Sequence, residues 1–170
     1  QRLQVSIIFL IPLLYLAMGH MLGFPLPSWI HGNANAVTFA FTQFLLVLPI
    51  IYVNRNFFTS GYKALVNRAP NMDSLIAIGT TAAVLYGIYA IFNIGWGLGH
   101  GDSERVSRFT MDLYFESAGT ILTLITVGKY LETRSKGKTS DTISKLLDLA
   151  PKTATVIRDG AELRIPVEEI

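Results

Sequence analysis

The chain of 170 residues contains no cysteine. That excludes a disulfide framework and any thiolate metal site within it, and leaves methionine and histidine as the side chains able to hold a soft metal ion. Charge is missing over long stretches as well: no Asp, Glu, Lys or Arg stands between Arg2 and Arg55, or between Asp73 and Asp102. With 51% hydrophobic residues and a mean hydropathy of +0.42, the chain is too apolar and too unevenly charged for an ordinary soluble domain. It also lacks a Gly-rich phosphate loop, a nucleophile motif, a Cys-His-carboxylate constellation, internal repeats and low-complexity tracts. The net charge is only +2, which gives no footprint for nucleic acid as a partner.

What is present fits a lipid bilayer. A hydrocarbon core about 30 Å thick takes roughly 20 apolar helical residues, so the first uncharged gap accommodates two spans and the second accommodates one. The expected fold is mainly α: four transmembrane helices over 5–22, 36–53, 74–96 and 113–131, then an amphipathic helix and a short β-hairpin. The run 5–22 is longer than a signal-peptide core and lacks a small-x-small cleavage site after it. Gly23, Pro25 and Pro27 stop the first helix, and Gly32, Asn33 and Asn35 form the turn that follows. Pro49 removes one backbone donor and is expected to kink the inner end of the second helix.

Phe57, Phe58, Tyr62, Leu65 and Val66 alternate with Arg55, Lys63 and Arg68, which predicts a short amphipathic segment at the membrane surface over 55–71. In the third helix Gly79, Ala83 and Gly87 recur every four residues and leave a groove where another helix can approach. The segment 97–108 reads as a short loop of mixed charge. The fourth helix continues into polar residues at 132–136. Beyond it, Ile143, Leu146, Leu147 and Ala150 fall on one helical face ahead of Pro151. Residues 153–158 and 162–167 read as strands around Asp159-Gly160, with Pro166 weakening the second. Lysine and arginine number none in the first inter-helix loop, three in 55–71, two in 97–108 and eight from Lys129 onward. This bias puts both chain ends and the 55–71 link on the cytoplasmic side.

Glu116 stands about one turn inside the outer end of the fourth helix, in an otherwise uncharged stretch. Intramembrane carboxylates are costly and face a bundle interior or a water-filled path, although one this near the end also reads as reaching headgroup water. Met72 opens the third helix and Glu132 lies at the inner end of the fourth, so antiparallel neighbours would bring a thioether and a carboxylate to one depth. Packing for Met72 and solvation beside Arg134 and Lys136 for Glu132 are the alternative readings. Met18, His20 and Met21, with His31 after them, suit monovalent copper or silver but also suit interfacial packing. Trp29, Tyr52, Tyr62 and Trp96 read as interfacial anchors.

The string Pro70-Asn71-Met72-Asp73-Ser74-Leu75-Ile76-Ala77-Ile78-Gly79-Thr80 resembles the start of the third membrane helix of copper-transporting heavy-metal P-type ATPases. Tyr114-Phe115-Glu116-Ser117-Ala118 and Gly128-Lys129-Tyr130-Leu131-Glu132-Thr133-Arg134 are similar to the helix that follows it. Residues 145–151 and 154–160 resemble the opening of the actuator domain, so the resemblance covers essentially the whole chain. It implies a membrane domain over 1–135 and the start of a cytoplasmic actuator over 136–170 of a plasma-membrane exporter of Cu(I) or Ag(I). Met72 and Glu132 match residues of the family's cytoplasmic loading site, and Glu116 matches a glutamate of the release path. Copper would be the cargo, with a copper chaperone as a source. ATP and Mg2+ would act in the full-length protein rather than on this segment, because the phosphorylation and nucleotide-binding domains would lie beyond Ile170. The segment alone would therefore be inactive. Where the family carries a Gly-Gly pair at the end of the second helix, this chain has Val53-Asn54. A zinc or cadmium pump of the same superfamily and a non-enzymatic four-helix metal sensor are the rival readings.

Overall fold

Uncharged runs of leucine, isoleucine and phenylalanine offer the backbone no competing polar side chains, and three of them form the long helices. The computed structural model describes residues 1–148, 153–158 and 160–166. In chain order the helices are α1 (Arg2–Leu22), α2 (Ala36–Val53), α3 (Arg55–Val66), α4 (Met72–His100), α5 (Ser103–Met111) and α6 (Phe115–Asp148), with one turn of 3₁₀ helix at Asn33–Asn35. The chain forms two units, Gln1–Gly128 and Lys129–Ile170.

Among the described residues three stretches are long and apolar enough to cross a membrane by length and composition: Arg2–Gly19, Asn33–Val53 and Met72–His100. The expected fourth span, 113–131, is helical from Phe115 onward but is not one of the three. Its uncharged stretch covers only 117–128, with Glu116 before it and Lys129 after it. Two further expectations change. The segment 97–108 is not a loop: α4 runs on to His100, and after the left-handed Gly101 the chain enters α5, whose Asp102 side chain accepts from the Arg105 amide at 3.0 Å. The amphipathic segment around Ile143 is not a separate helix up to Asp148 but the last part of α6. Ala150, Pro151, Asp159 and Val167 lie outside the described residues.

In the first unit α2 packs against α1 and α4, and α3 and α5 each pack on α4. Leu13, Ala40, Val47, Ile50, Phe115 and Leu122 fill the shared core at full burial. Gly119 lets α6 lie close to α1 and α2, because a Cβ there would sit 3.0 Å from Leu13 and 3.2 Å from Ile50. The small-residue groove on α4 is used at one end: a Cβ at Gly87 would fall 2.4 Å from the Phe115 ring, whereas Gly79 has nothing within 4 Å. Exteriors are apolar too, with Ile8 63%, Ile11 64%, Leu85 60% and Phe92 75% exposed. That inversion of the soluble pattern is what a lipid environment favours.

The α2–α3 junction occurs at Asn54 without glycine. Its φ of −103° and ψ of 14° lie in the bridge region open to ordinary residues. Asn54 is 2% exposed, donates to Ser6 Oγ at 2.8 Å and to the Ile50 carbonyl at 2.9 Å, and accepts from Thr126 Oγ1 at 2.8 Å. One amide thus ties α1, α2 and α6. The 55–71 segment is helical as expected, with Phe57 and Phe58 turned to the core.

In the second unit β1 (Thr153–Arg158) pairs antiparallel with β2 (Ala161–Pro166), Thr153 opposite Pro166 and Arg158 opposite Ala161. Gly160 at φ 81° provides the left-handed turn position. Pro166 ends its strand, where a missing donor costs least.

Candidate functional site

Met72 is the first residue of α4, and its backbone is clamped. The Asn71 side chain accepts from the Ser74 amide at 3.0 Å, Ser74 Oγ accepts from the Asn71 amide at 3.2 Å, and the Ser74 hydroxyl donates to the Gly61 carbonyl of α3 at 2.8 Å. This reciprocal capping box satisfies orphan donors at the helix start. Gly61 makes the contact possible, since a Cβ there would lie 2.3 Å from the Asp73 carbonyl oxygen. The Met72 side chain is 58% exposed on this rigid mount.

Glu132 belongs to the second unit. It is exposed and pairs with Lys136 one turn on, Nζ to Oε1 at 2.5 Å. The hydrogen bond and charge of Lys136, with a smaller contribution from the Lys129 charge, hold the Glu132 carboxyl below the usual carboxylate value.

Glu116 lies in the first turn of α6, where a carboxylate is favoured by the helix dipole. Its Oε1 accepts from Ser117 Oγ at 3.1 Å, while its buried Oε2 has no hydrogen-bond partner among the described residues. It lines a cavity of about 580 Å³ together with Met18 and Met21 of α1, Gln43 of α2 and Met111 of α5. Of the methionine–histidine cluster singled out in the sequence, Met18 and Met21 therefore line the same cavity as Glu116. His31 lines a neighbouring pocket of about 180 Å³, whose walls share Phe39, Thr110 and Met111 with the larger one. The His20 side chain lies outside the described residues. No group of three His, Cys, Asp or Glu that could hold a metal occurs among the described residues.

Sequence reasoning missed Gln43 and Met111. Gln43 had a usable signal: it is the one amide within the apolar stretch of α2, and it is 1% exposed. Met111 was hidden because it fell between the expected loop, 97–108, and the expected span from 113, with α5 not foreseen. Trp96, expected as an interfacial anchor, stacks on His100 at 4.0 Å and carries Arg105 over its ring at 4.5 Å. Arg105 also donates to Asn93 Oδ1 at 2.7 Å, which fastens α5 to α4 at the rim of the cavity-bearing end.

Long uncharged helices with apolar exteriors, and a carboxylate lining an open cavity among them, define a helical membrane protein. No family model matches the chain. Over nearly its whole length, however, it is homologous to copper-transporting P-type ATPases. It is 39% identical over 170 residues, 99% of this chain, to the copper-exporting P-type ATPase of Bacillus subtilis. It is 40% identical over 168 residues, 97% of this chain, to a protein of Enterococcus hirae described as a probable copper-importing P-type ATPase A, and 36% identical over 170 residues, again 99% of the chain, to a copper-exporting P-type ATPase of Staphylococcus aureus. The chain spans about a fifth of the length of these relatives, 20%, 20% and 19% respectively.

Proposed function

We propose that this chain is the leading membrane part of an ATP-driven exporter of monovalent copper, also able to carry silver, in the plasma membrane. In this reading α6 supplies a fourth span, and both ends of the segment lie in the cytoplasm. Met72 offers a thioether and Glu132 a carboxylate for loading from the cytoplasmic side, and Glu116 receives the ion on the way out. The observation that carries the proposal is the cavity that brings Glu116 together with methionines of α1 and α5, because thioethers select soft monovalent ions. The rigid cap beneath Met72 supports its loading role, since a ligand on a fixed mount is preorganised. Lys136 beside Glu132 supports a carboxylate that stays ionised and exchangeable.

The test uses the complete pump containing this segment, reconstituted in vesicles with ATP. Cu(I) and Ag(I) should stimulate ATP hydrolysis and Zn(II) and Cd(II) should not; metal should accumulate in vesicles whose cytoplasmic face points outward. Accumulation in the opposite orientation would make the protein an importer. Stimulation by Zn(II) alone would place it with the divalent pumps. A polypeptide that takes up no metal and hydrolyses no ATP would leave a binding or sensor role. Glu116→Gln should slow metal-dependent phosphoenzyme decay while the Cu(I) concentration for half-activation stays the same, separating release from loading.

A further inference from the structure

α5 folds back along the end of α4: Arg105 reaches Asn93, and the Phe109 ring meets the Tyr89 ring edge-on at 5.8 Å. Between them lies a second open cavity of about 450 Å³, lined by Tyr89, Asp102, Glu104, Arg105, Arg108 and Phe109. Two guanidinium groups and two carboxylates thus line one space, and their formal charges cancel. They do not cancel by pairing. Arg105 spends Nε and Nη2 on Asn93 Oδ1 at 3.2 and 2.7 Å and lies over the Trp96 ring. Asp102 accepts from the Arg105 amide through Oδ1. Glu104 and Arg108 stand at the i, i+4 spacing that ordinarily joins such a pair, yet no ion pair links them among the described residues.

The depth of this charged cavity matters. α4 is long and apolar enough to cross a membrane, and a helix rises about 1.5 Å per residue, so Asn93 and Tyr89 lie roughly 10 and 16 Å below its His100 end. Charges held that near the hydrocarbon are costly unless they meet opposite charge. Below the charged groups the wall turns apolar, because Leu85, Tyr89 and Phe92 are exposed on one face of α4 at i, i+4 and i+7. We infer that the cavity seats one phospholipid with a zwitterionic headgroup ending in a primary amine, as in phosphatidylethanolamine. Its phosphate meets Arg105 and Arg108, whose planar forks suit phosphate oxygens, and its ammonium donates to Asp102 and Glu104. The acyl chains run down Leu85, Tyr89 and Phe92. Both signs in one neutral cavity select a zwitterion, since an anionic lipid or free phosphate would meet two carboxylates. A trimethylated amine has no N–H to give those carboxylates, so phosphatidylcholine fits less well. The inference is independent of which ion the protein carries.

The experiment titrates the complete protein, purified in detergent, with phosphatidylethanolamine, phosphatidylcholine, phosphatidylglycerol and glycerophosphoethanolamine, the headgroup without chains. Native mass spectrometry counts what is retained. One molecule of phosphatidylethanolamine should be held at about fivefold lower concentration than either other phospholipid, and Arg108→Gln and Glu104→Gln should each weaken that retention by about fivefold, the loss of one partly exposed charge contact. Both side chains are exposed, so the variants should keep the parent's thermal midpoint, which separates lost binding from lost folding. Equal retention of the three phospholipids, or parent-like retention in both variants, overturns the inference and leaves only the general lipid shell. Phosphatidylglycerol held best, and held better still by Glu104→Gln, overturns the zwitterion in favour of an anion. Glycerophosphoethanolamine bound as tightly as phosphatidylethanolamine overturns the seat for the chains and makes the occupant a soluble molecule. A loss in only one variant overturns the contact assigned to the other residue.

Discussion

Replacing Asn54 with alanine tests whether one buried amide holds three helices together. The substitution removes the bonds to Ser6 and Thr126, both at 2.8 Å, and the bond to the Ile50 carbonyl at 2.9 Å. The losses differ in kind. Thr126 keeps its bond to the Leu122 carbonyl at 2.7 Å, so its hydroxyl stays paired. Ser6, at 0% exposure, loses its donor inside the core. Interhelical polar contacts within membranes average about 0.6 kcal/mol and reach about 1.7, so the two contacts together account for roughly 1–3 kcal/mol. Ser6→Ala alone should cost less, about 0.6 kcal/mol, because the Asn54 amide retains Ile50. Denaturant titration of the purified complete protein in detergent, with Ser6→Ala, Asn54→Ala and the double variant, reads these values and their coupling. A change for Asn54→Ala within about 0.5 kcal/mol, as for an unremarkable surface site, would refute the reasoning. Asn54→Gly should lose the same bonds and be no better, since the backbone at that position does not need glycine.

Other contacts give equally direct expectations. Gly61→Ala should separate α3 from α4, because its Cβ meets a backbone oxygen at 2.3 Å that cannot swing aside; about 1–3 kcal/mol of stability should be lost, read by thermal unfolding, and, if Met72 loads the ion as proposed, half-activation by metal should weaken. Gly87→Ala should destabilise by a similar route through the fully buried Phe115 ring, and the pair Gly87→Ala with Phe115→Leu should recover part of the loss in the same unfolding assay. For Glu132 the depressed carboxyl value means that the stabilising pair with Lys136 is present above the ordinary carboxylate range and disappears as pH falls through the lowered value. If Glu132 loads the ion as proposed, Lys136→Gln in the complete pump should move the acid limb of the metal-stimulated ATPase profile to higher pH. It should then also lower the Cu(I) concentration for half-activation, because a competing cation is gone. α6 is unbroken from Phe115 to Asp148, so a Gly-Ser insertion at Ser135 should uncouple ATP hydrolysis from transport if that helix transmits the actuator's motion.

The sequence by itself determined the long apolar helices, the amphipathic character of α3, the hairpin and the resemblance to copper pumps. Hydrophobic runs, helix stops at Gly23 and Pro70 and turn residues such as Gly160 act over a few neighbouring positions, so they are readable without knowing what packs where. The α5 helix escaped because its nine residues carry mixed charge and are held by partners far from their own sequence pattern, Arg105 by Asn93 and Trp96. Only the tertiary structure decided that Gly87 receives a ring rather than a backbone, that Asn54 bonds across three helices, and that Gln43 and Met111 share a cavity with Glu116. Apart from Met111 and Glu116, which are near in sequence, those are distance relations between residues 28 to 73 positions apart in the chain, as from Phe115 back to Gly87 or from Glu116 back to Gln43. Helix pairing sets them, and no local periodicity encodes it.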